Sequence, residues 1–164
     1  MNKIVFADFF KESKGKPFIY NGKEIKMSEK ISLHSDKVSL LVEFISTKSE
    51  WKQGIVLETK GVFEFVDDGE KISNGIVLWE HTAPKQVKLT VASKDKTLFV
   101  YNVWEVTDHL GNKVMHYGYG GGALFIEKID EATAIYHCND GHADDDFNDL
   151  VFSIKIEHFF DTNL

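Results

Sequence analysis

The sequence contains no arginine, only one cysteine, only two prolines and no long apolar run. Without arginine the chain lacks the guanidinium fork that reads bases and grips phosphates, and its 19 lysines are scattered, so nucleic acid is not an expected partner. The single cysteine, Cys138, excludes an internal disulfide. No stretch approaches the ~18 apolar residues of a membrane span, so membrane insertion is not expected either.

The length of 164 residues predicts one domain, residues 1–164, because domains usually run ~100–200 residues and a chain of this size buries a sizeable core. A hydrophobic content of 43% with 13% aromatic residues is typical of a globular protein. The first residues carry a short apolar run that Asp8 interrupts, unlike a signal peptide. The expected location is therefore cytoplasmic by default, with export by another route and self-association into a homo-oligomer left open.

The net charge of −7 is concentrated in one segment of the chain. Residues 129–154 contain seven acidic residues and no lysine. The remaining 19 acidic residues balance the 19 lysines, so the rest of the chain is neutral. The position of the charge therefore marks 129–154 as the segment to examine for chemistry.

Apolar residues alternate with polar ones in several runs, which is typical of half-buried β-strands. The predicted strands are 38–44, 61–66, 75–80, 87–91, 97–106, 123–129, 132–138 and 150–156. Turn signals separate the runs at 21–22, 68–69, 74–75, 111–112 and 140–141. No segment shows a helical stripe of useful length, although a short helix would fit within 23–37. The pattern predicts an all-β fold, an antiparallel β-sandwich of jelly-roll-like or galactose-binding-like type, with a metal loop at one end.

The metal loop is the segment 139–149, which holds five aspartates and two asparagines between two predicted strands. Like charges at this density repel one another, and a hard cation removes that repulsion. Ca²⁺ takes six to eight oxygen ligands from carboxylates, amides and backbone carbonyls, which this loop offers. The alternative to a metal site is a solvated acidic turn that binds no ion. The predicted ligands of Ca²⁺ are Asp140, Asp144, Asp146, Asn148 and Asp149.

The loop does not follow the helix–loop–helix calcium motif. A match beginning at Asp144 has Asp149 in place of the glycine at its sixth position and Lys155 in place of the glutamate at its twelfth. No flanking helices are predicted. A strand–loop–strand calcium site is therefore expected instead.

The loop and its flanks resemble the galactophilic calcium-dependent lectins of bacteria over about 40 residues. The resemblance rests on 121–129 (GGALFIEKI), on Asn139-Asp140 and Asn148, and on Phe152-Ser153-Ile154. It implies calcium ligands in the side chains of Asp140 and Asn148 and in the carbonyl of Asp144. A further asparagine of that family would fall at Phe147, so Asp146 or Asp149 would have to replace it. The string 144–152 is also similar to the acidic motif of calcium-binding β-domains in bacterial adhesins.

The resemblance implies calcium-dependent carbohydrate binding without catalysis, in which the ion takes two sugar hydroxyls. The residues expected to contact a glycan or sugar ligand are Asn139, His142, Tyr117 and Tyr119. The alternative is a structural or protein-interaction β-sandwich in which the cation only stabilises the fold. A small hydrolase is the third class, and the enzyme interpretation is not favoured because the acidic residues lie in one loop.

Other candidate chemistry in the sequence is weaker. A zinc set of His116, His137, Cys138 and His142 lacks a standard ligand spacing, and alternation puts His137 and Cys138 on opposite faces of one strand, so Zn²⁺ is not expected. Cys138 as a nucleophile would be quenched by the surrounding acids. The glycine-rich segment 118–122 lacks the helix and lysine of a phosphate loop, and the simpler interpretation is a flexible loop or a bulge before a strand.

Overall fold

The computed structural model describes residues 3–158, which form one short helix, a 3-10 turn and twelve strands. The helix α1 is Phe6–Ser13, and the 3-10 turn is Gly118–Gly120. The strands in chain order are β1 Phe18–Tyr20, β2 Lys23–Ile25, β3 Glu29–Ser32, β4 Lys37–Thr47, β5 Lys52–Phe65, β6 Lys71–Trp79, β7 Gln86–Ser93, β8 Thr97–Thr107, β9 Lys113–His116, β10 Ala123–Lys128, β11 Thr133–Asn139 and β12 Leu150–His158. The predicted all-β fold is confirmed.

Every strand pairing in the described residues is antiparallel. A large sheet runs in the order β10, β11, β12, β4, β7, β5, β8 and β3, with β6 beside β5 and β9 beside β8. The strand β5 belongs to two halves of this sheet, since residues 52–58 pair with β8 and residues 61–65 pair with β7. The sheet therefore curls at β5 into a sandwich-like fold, as predicted.

The curl in β5 coincides with a break in register against β6, between Glu58 and Val62. Opposite the break lies Asn74, whose φ of 73° is left-handed. The prediction of a turn at 74–75 is therefore wrong, because these residues lie inside β6. Asparagine tolerates the left-handed region, and the chain uses that tolerance for an irregularity that bends the paired strands.

The main core lies between the two halves of the curled sheet and is built from the inward-facing apolar residues of the long strands. In β4, for example, Val38, Leu40, Val42 and Phe44 are all buried. In β12, Leu150, Phe152 and Ile154 are buried in the same alternation. The period-two pattern thus identified the buried faces correctly.

The helix α1 was not predicted, because no segment of the sequence shows a helical stripe of useful length. It has eight residues, too few for a stripe to stand out, and it ends where Lys14 and Gly15 adopt left-handed conformations. Phe6 and Phe10 are buried against the β1–β2 hairpin, which the Asn21-Gly22 signal predicted. The short helix that the sequence allowed within 23–37 does not form, because β2 and β3 lie in that segment. Among the described residues, no helix is long and apolar enough to cross a membrane.

Candidate metal site

The acidic loop 139–149 connects β11 to β12, two strands that pair with each other up to the base of the loop. Cys138 lies opposite Leu150, and the backbone N–H of Asp149 donates to the carbonyl of Cys138 at 3.1 Å. The backbone N–H of Lys48 donates to the carbonyl of Asp149 at 3.2 Å, which ties the end of the loop to the segment after β4. The sheet therefore fixes the two ends of this eleven-residue loop close together.

The side chain of Asn139 holds the backbone of the loop by hydrogen bonds from inside. Its side chain is fully buried, its Nδ2 donates to the carbonyl of Asp144 at 2.8 Å, and its Oδ1 accepts from the backbone N–H of Phe147 at 2.6 Å. Its own carbonyl accepts from Nδ2 of Asn102 at 2.9 Å. The structure thus gives Asn139, which the sequence placed among the sugar contacts, a positioning role inside the loop.

The carboxylate of Asp140 is the most heavily hydrogen-bonded group of the loop, and its residue is only 1% exposed. Its Oδ2 accepts from Oγ of Ser49 at 2.6 Å and from Nε2 of Gln53 at 2.9 Å. Its Oδ1 accepts from the backbone N–H of His142 at 3.0 Å and lies 2.7 Å from Nδ1 of the same residue. This environment holds the carboxylate in one orientation.

Asp149 supplies a second buried carboxylate beside Asp140. Its Oδ2 accepts from the backbone N–H of Asp140 at 2.9 Å, and the residue is 4% exposed. Burial raises the pKa of Asp149 to about 7, and the negative charges of Asp140 and Asp144 act in the same direction. Without a cation, the charged form of Asp149 is therefore disfavoured in this environment.

His142 closes the site on its outer side. Its ring stacks on Trp51 with centroids 3.8 Å apart, and its Nε2 lies 3.2 Å from Oε1 of Glu50. Partial burial acts to lower the pKa of His142, but the hydrogen bonds to Asp140 and Glu50 outweigh it and raise the pKa above its ordinary value. The imidazole is thus held against a carboxylate on each of its nitrogens.

One group among residues 3–158 has side-chain ligand atoms close enough to share an ion: Asp140, His142 and Asp149, with all three atoms within 4.8 Å of one another. Two of its members, Asp140 and Asp149, belong to the predicted calcium ligands. The third, His142, was predicted as a sugar contact. The group of possible metal ligands in the structure is therefore smaller than the set of five that the sequence predicted.

The other predicted ligands lie outside this group. Asp144 is half-buried, its pKa is raised chiefly by burial, and its Oδ1 accepts from the backbone N–H of Asp146 at 3.4 Å. The residue Asp146 is exposed, and Asn148 is half-buried. Asp145, which was not predicted as a ligand, accepts from the hydroxyl of Tyr20 at 2.9 Å. The loop thus divides into a buried carboxylate pair and an exposed acidic rim.

Two buried amide oxygens near the site lack a hydrogen-bond partner among the described residues. They are Oε1 of Gln53 and Oδ1 of Asn102, in residues that are 2% and 1% exposed. The nitrogen end of each amide faces the site, since Gln53 donates to the Asp140 carboxylate and Asn102 to the carbonyl of Asn139. A buried acceptor without a donor is costly and calls for a water molecule or an ion.

The segment after β4 brings Ser49, Glu50, Trp51 and Gln53 to the loop, a contribution that the sequence did not predict. These residues lie about 90 positions before it, and no local pattern links the two segments. A signal did exist for Asn102, which is the one polar residue in the apolar run Tyr101–Trp104. A buried polar residue in such a run indicates a partner that only the fold identifies.

The candidate zinc residues are dispersed. Cys138 is buried in the main core, and burial raises the pKa of its thiol well above the ordinary value. The ring of His137 stacks on Phe125, while that of His116 stacks on Trp104. Cys138 therefore behaves as a small core residue.

The tyrosines expected beside the metal loop line a different part of the surface. Tyr117 and Tyr119 border a cleft with Glu58, Phe99 and Tyr101, and no residue of 139–149 lines it. The glycine-rich segment before β10 does meet the loop through backbone, because Gly121 and Gly141 approach closely. The aromatic surface and the acidic loop are therefore separate sites.

No family model, curated protein or solved structure matches this chain. The resemblance of the acidic loop to calcium-dependent lectins therefore stays a prediction. What bears on function is the chemistry of the buried carboxylate pair, the amide oxygens beside it and the aromatic surfaces of the sheet.

Proposed function

We propose that the protein is a calcium-binding β-sandwich that uses the site around Asp140 and Asp149 for carbohydrate recognition. One observation supports a bound cation: two aspartates that are 1% and 4% exposed lie side by side at the same end of the sheet. The ion pairs of the described residues include no lysine against either carboxylate. Two adjacent buried charges of one sign need a compensating cation or a proton.

The donor types favour Ca²⁺ over Zn²⁺. Ca²⁺ binds oxygen atoms at ~2.3–2.6 Å, so ligands on opposite sides of one ion lie ~5 Å apart, a span that accommodates the 4.8 Å limit of the Asp140–His142–Asp149 group. The unpartnered Oε1 of Gln53 offers a further neutral oxygen next to Asp140. Both ring nitrogens of His142 already lie within hydrogen-bond distance of a carboxylate, Nδ1 at 2.7 Å from Asp140 and Nε2 at 3.2 Å from Glu50.

Replacement of Asp140 by asparagine is expected to abolish the stabilisation of the protein by Ca²⁺. At a hundredfold excess over the dissociation constant, that stabilisation amounts to ~2.7 kcal/mol in the wild-type protein. The measurement is the melting temperature with calcium and with EDTA, together with calcium titration by calorimetry. Asp149→Asn is expected to behave in the same way, which covers the case in which Asp140→Asn does not fold.

The matched control is Asp146→Asn, which removes the same charge from the exposed rim of the same loop. This variant is expected to retain calcium stabilisation. Equal loss in all three variants would instead support an ion held among the carboxylates that the sequence predicted. A wild-type melting temperature that does not respond to calcium would contradict the site altogether. A response to Zn²⁺ alone, lost in His142→Gln, would replace calcium by zinc.

The carbohydrate part of the proposal is supported by the outer wall of the site. Trp51 and His142 form a stacked aromatic pair beside the carboxylates, and the exposed Glu50 lies against the imidazole. Sugar rings pack on aromatic faces, and their hydroxyls bond to carboxylates and to bound calcium. A sugar seated on this wall would use His142 as the sequence predicted, with Trp51 as the additional aromatic contact.

A glycan array probed in calcium and in EDTA is the test of carbohydrate binding. We expect glycan signals that require calcium, that are lost in Trp51→Ala and that survive in Asp146→Asn. Calcium binding without any glycan signal would favour the structural alternative, in which the ion only pins the loop. The deep burial of both carboxylates is the observation that favours that alternative, since an enclosed ion has few positions open to a ligand.

A further inference from the structure

A second site lies on the outer face of β5 and β8, away from the acidic loop. Glu58 is directly opposite Phe99, and Tyr101 follows on the same face two residues along β8. Tyr117 follows β9, which pairs with β8, and its ring centroid lies 5.7 Å from that of Tyr101 at an angle of 45°. With Tyr119 these side chains border a cleft of about 430 Å³.

The aromatic rings of this cleft are unusually exposed. The exposed fraction is 37% for Phe99, 54% for Tyr117 and 50% for Tyr119. A cluster of exposed aromatic side chains on a sheet face marks a binding surface rather than a part of the core. Tilted rings lining one cleft, as Tyr101 and Tyr117 do, present faces whose quadrupoles attract positive charge.

The cleft also carries one uncompensated negative charge. The side chain of Glu58 is exposed and accepts a hydrogen bond from the hydroxyl of Tyr101 at 2.6 Å. In the described residues it takes part in no ion pair, and no lysine lines the cleft. Burial and then the hydrogen bond to Glu58 raise the pKa of Tyr101, so the phenol stays a donor and Glu58 stays the only anion.

We propose that this cleft binds a trimethylammonium group of a small molecule, held between the aromatic faces and against Glu58. The aromatic faces and the carboxylate of Glu58 together complement a methylated cation. Such a cation has a small desolvation cost and is attracted both by the rings and by the carboxylate. A sugar ring is less suited, because the lining adds only Ser28 to the phenols and Glu58 as polar groups. A second copy packed cleft to cleft would bring Glu58 no basic partner from the lining, because no lysine lines the cleft.

The test is a titration of the full chain with choline, followed by nuclear magnetic resonance or tyrosine fluorescence. Its neutral isostere 3,3-dimethyl-1-butanol has the same shape without the charge. We expect choline to bind about fivefold or more tightly than the isostere, in keeping with cation–π contacts at partly exposed sites. Tyr117→Leu and Glu58→Gln are each expected to weaken choline binding severalfold.

The matched control for Glu58→Gln is Glu64→Gln, which removes the same charge from the same strand outside the cleft and is expected to leave choline affinity unchanged. Choline binding is also expected to persist in EDTA and in Asp140→Asn, so it stands or falls independently of the calcium site. Equal affinity for choline and its isostere, or no choline binding at millimolar concentration, would overturn the proposal. So would sugar binding or self-association that Tyr117→Leu abolishes while choline gives no response.

Discussion

Replacement of Gly61 by alanine is expected to destabilise the protein by at least about 3 kcal/mol, and in cells to yield mostly insoluble chain. Gly61 lies where β5 leaves the half-sheet of β8 and joins β7, opposite Ser93. A Cβ atom at this position would overlap the carbonyl oxygen of Ala92 and lie 2.8 Å from its carbonyl carbon. The obstacle is backbone in a paired strand, so no side-chain rotation relieves it. The measurement is chemical unfolding followed by circular dichroism.

The control for this prediction is Gly75→Ala in the neighbouring strand β6. The nearest heavy atoms to a Cβ at Gly75 are Cγ of Glu58 at 3.5 Å and the carbonyl oxygen of Leu57 at 3.6 Å, which are ordinary contacts. We expect a change in unfolding free energy within about 1 kcal/mol, in the stabilising direction because alanine loses less backbone entropy than glycine. Equal effects of the two substitutions would mean that close approach of β5 and β7 is not what the curl requires.

Replacement of Phe147 by alanine is expected to cost about 3–5 kcal/mol and to weaken calcium binding as well. Phe147 is the one large apolar residue of the acidic loop and is 5% exposed. Its ring centroid lies 5.2 Å from that of Phe6 in α1 and 5.1 Å from that of Phe125 in β10. Its backbone N–H donates to Asn139, so the anchored ring also fixes the inner turn of the loop. Denaturant unfolding and calcium calorimetry measure the two effects separately.

Phe9→Ala is the matched control for the aromatic cluster. Phe9 belongs to α1 and stacks on Phe18 with centroids 5.3 Å apart, but it is 37% exposed. Its truncation is expected to cost less than about 2 kcal/mol and to leave calcium affinity unchanged. A Phe147→Ala protein with reduced stability but wild-type calcium affinity would show that the cluster does not position the loop. The link between α1 and the carboxylate site would then be refuted.

Most of the predicted strands have one buried face and one exposed face. The strand β8, in which residues 102–104 are all buried, was predicted from its apolar run instead. In β4 the buried positions Val38, Leu40, Val42 and Phe44 are those that alternation predicted, although Leu41 on the other face is apolar too. In β12 Leu150, Phe152 and Ile154 are buried as predicted, and Val151 between them is buried as well. The first half of β5 was not predicted, because residues 53–57 are buried on both faces and show no alternation. The helix α1 was not predicted because its eight residues include only two buried apolar positions. Local patterns fail where an element is short or enclosed on both sides.

The site was predicted in part for a similar reason. The density of aspartate identified the loop, but density does not say which carboxylates turn inward. That choice depends on donors from distant segments: Ser49 and Gln53 hold Asp140 in place, and the backbone of Asp140 holds Asp149. The exposed Asp146 has the same chemistry and a neighbouring position, yet it lies outside the group. Tyr117 and Tyr119 were predicted to contact a sugar, whereas they border a cleft that no residue of the loop lines.

The sequence by itself determined that this protein has an all-β fold and that its excess negative charge lies in residues 129–154, with five of the seven acidic residues in the loop 139–149. Both properties are local, because alternation and charge density are written in consecutive residues. Only the tertiary structure decided that Asp140, His142 and Asp149 meet, that unpartnered amide oxygens lie beside them, and that an aromatic cleft around Glu58 forms on another face. Asp140 and Asp149 lie nine positions apart, but donors from about 90 positions earlier hold Asp140 in place. The amide contacts and the cleft join residues about 40 to 90 positions apart. Their proximity arises from strand pairing and burial, which no short stretch of sequence specifies.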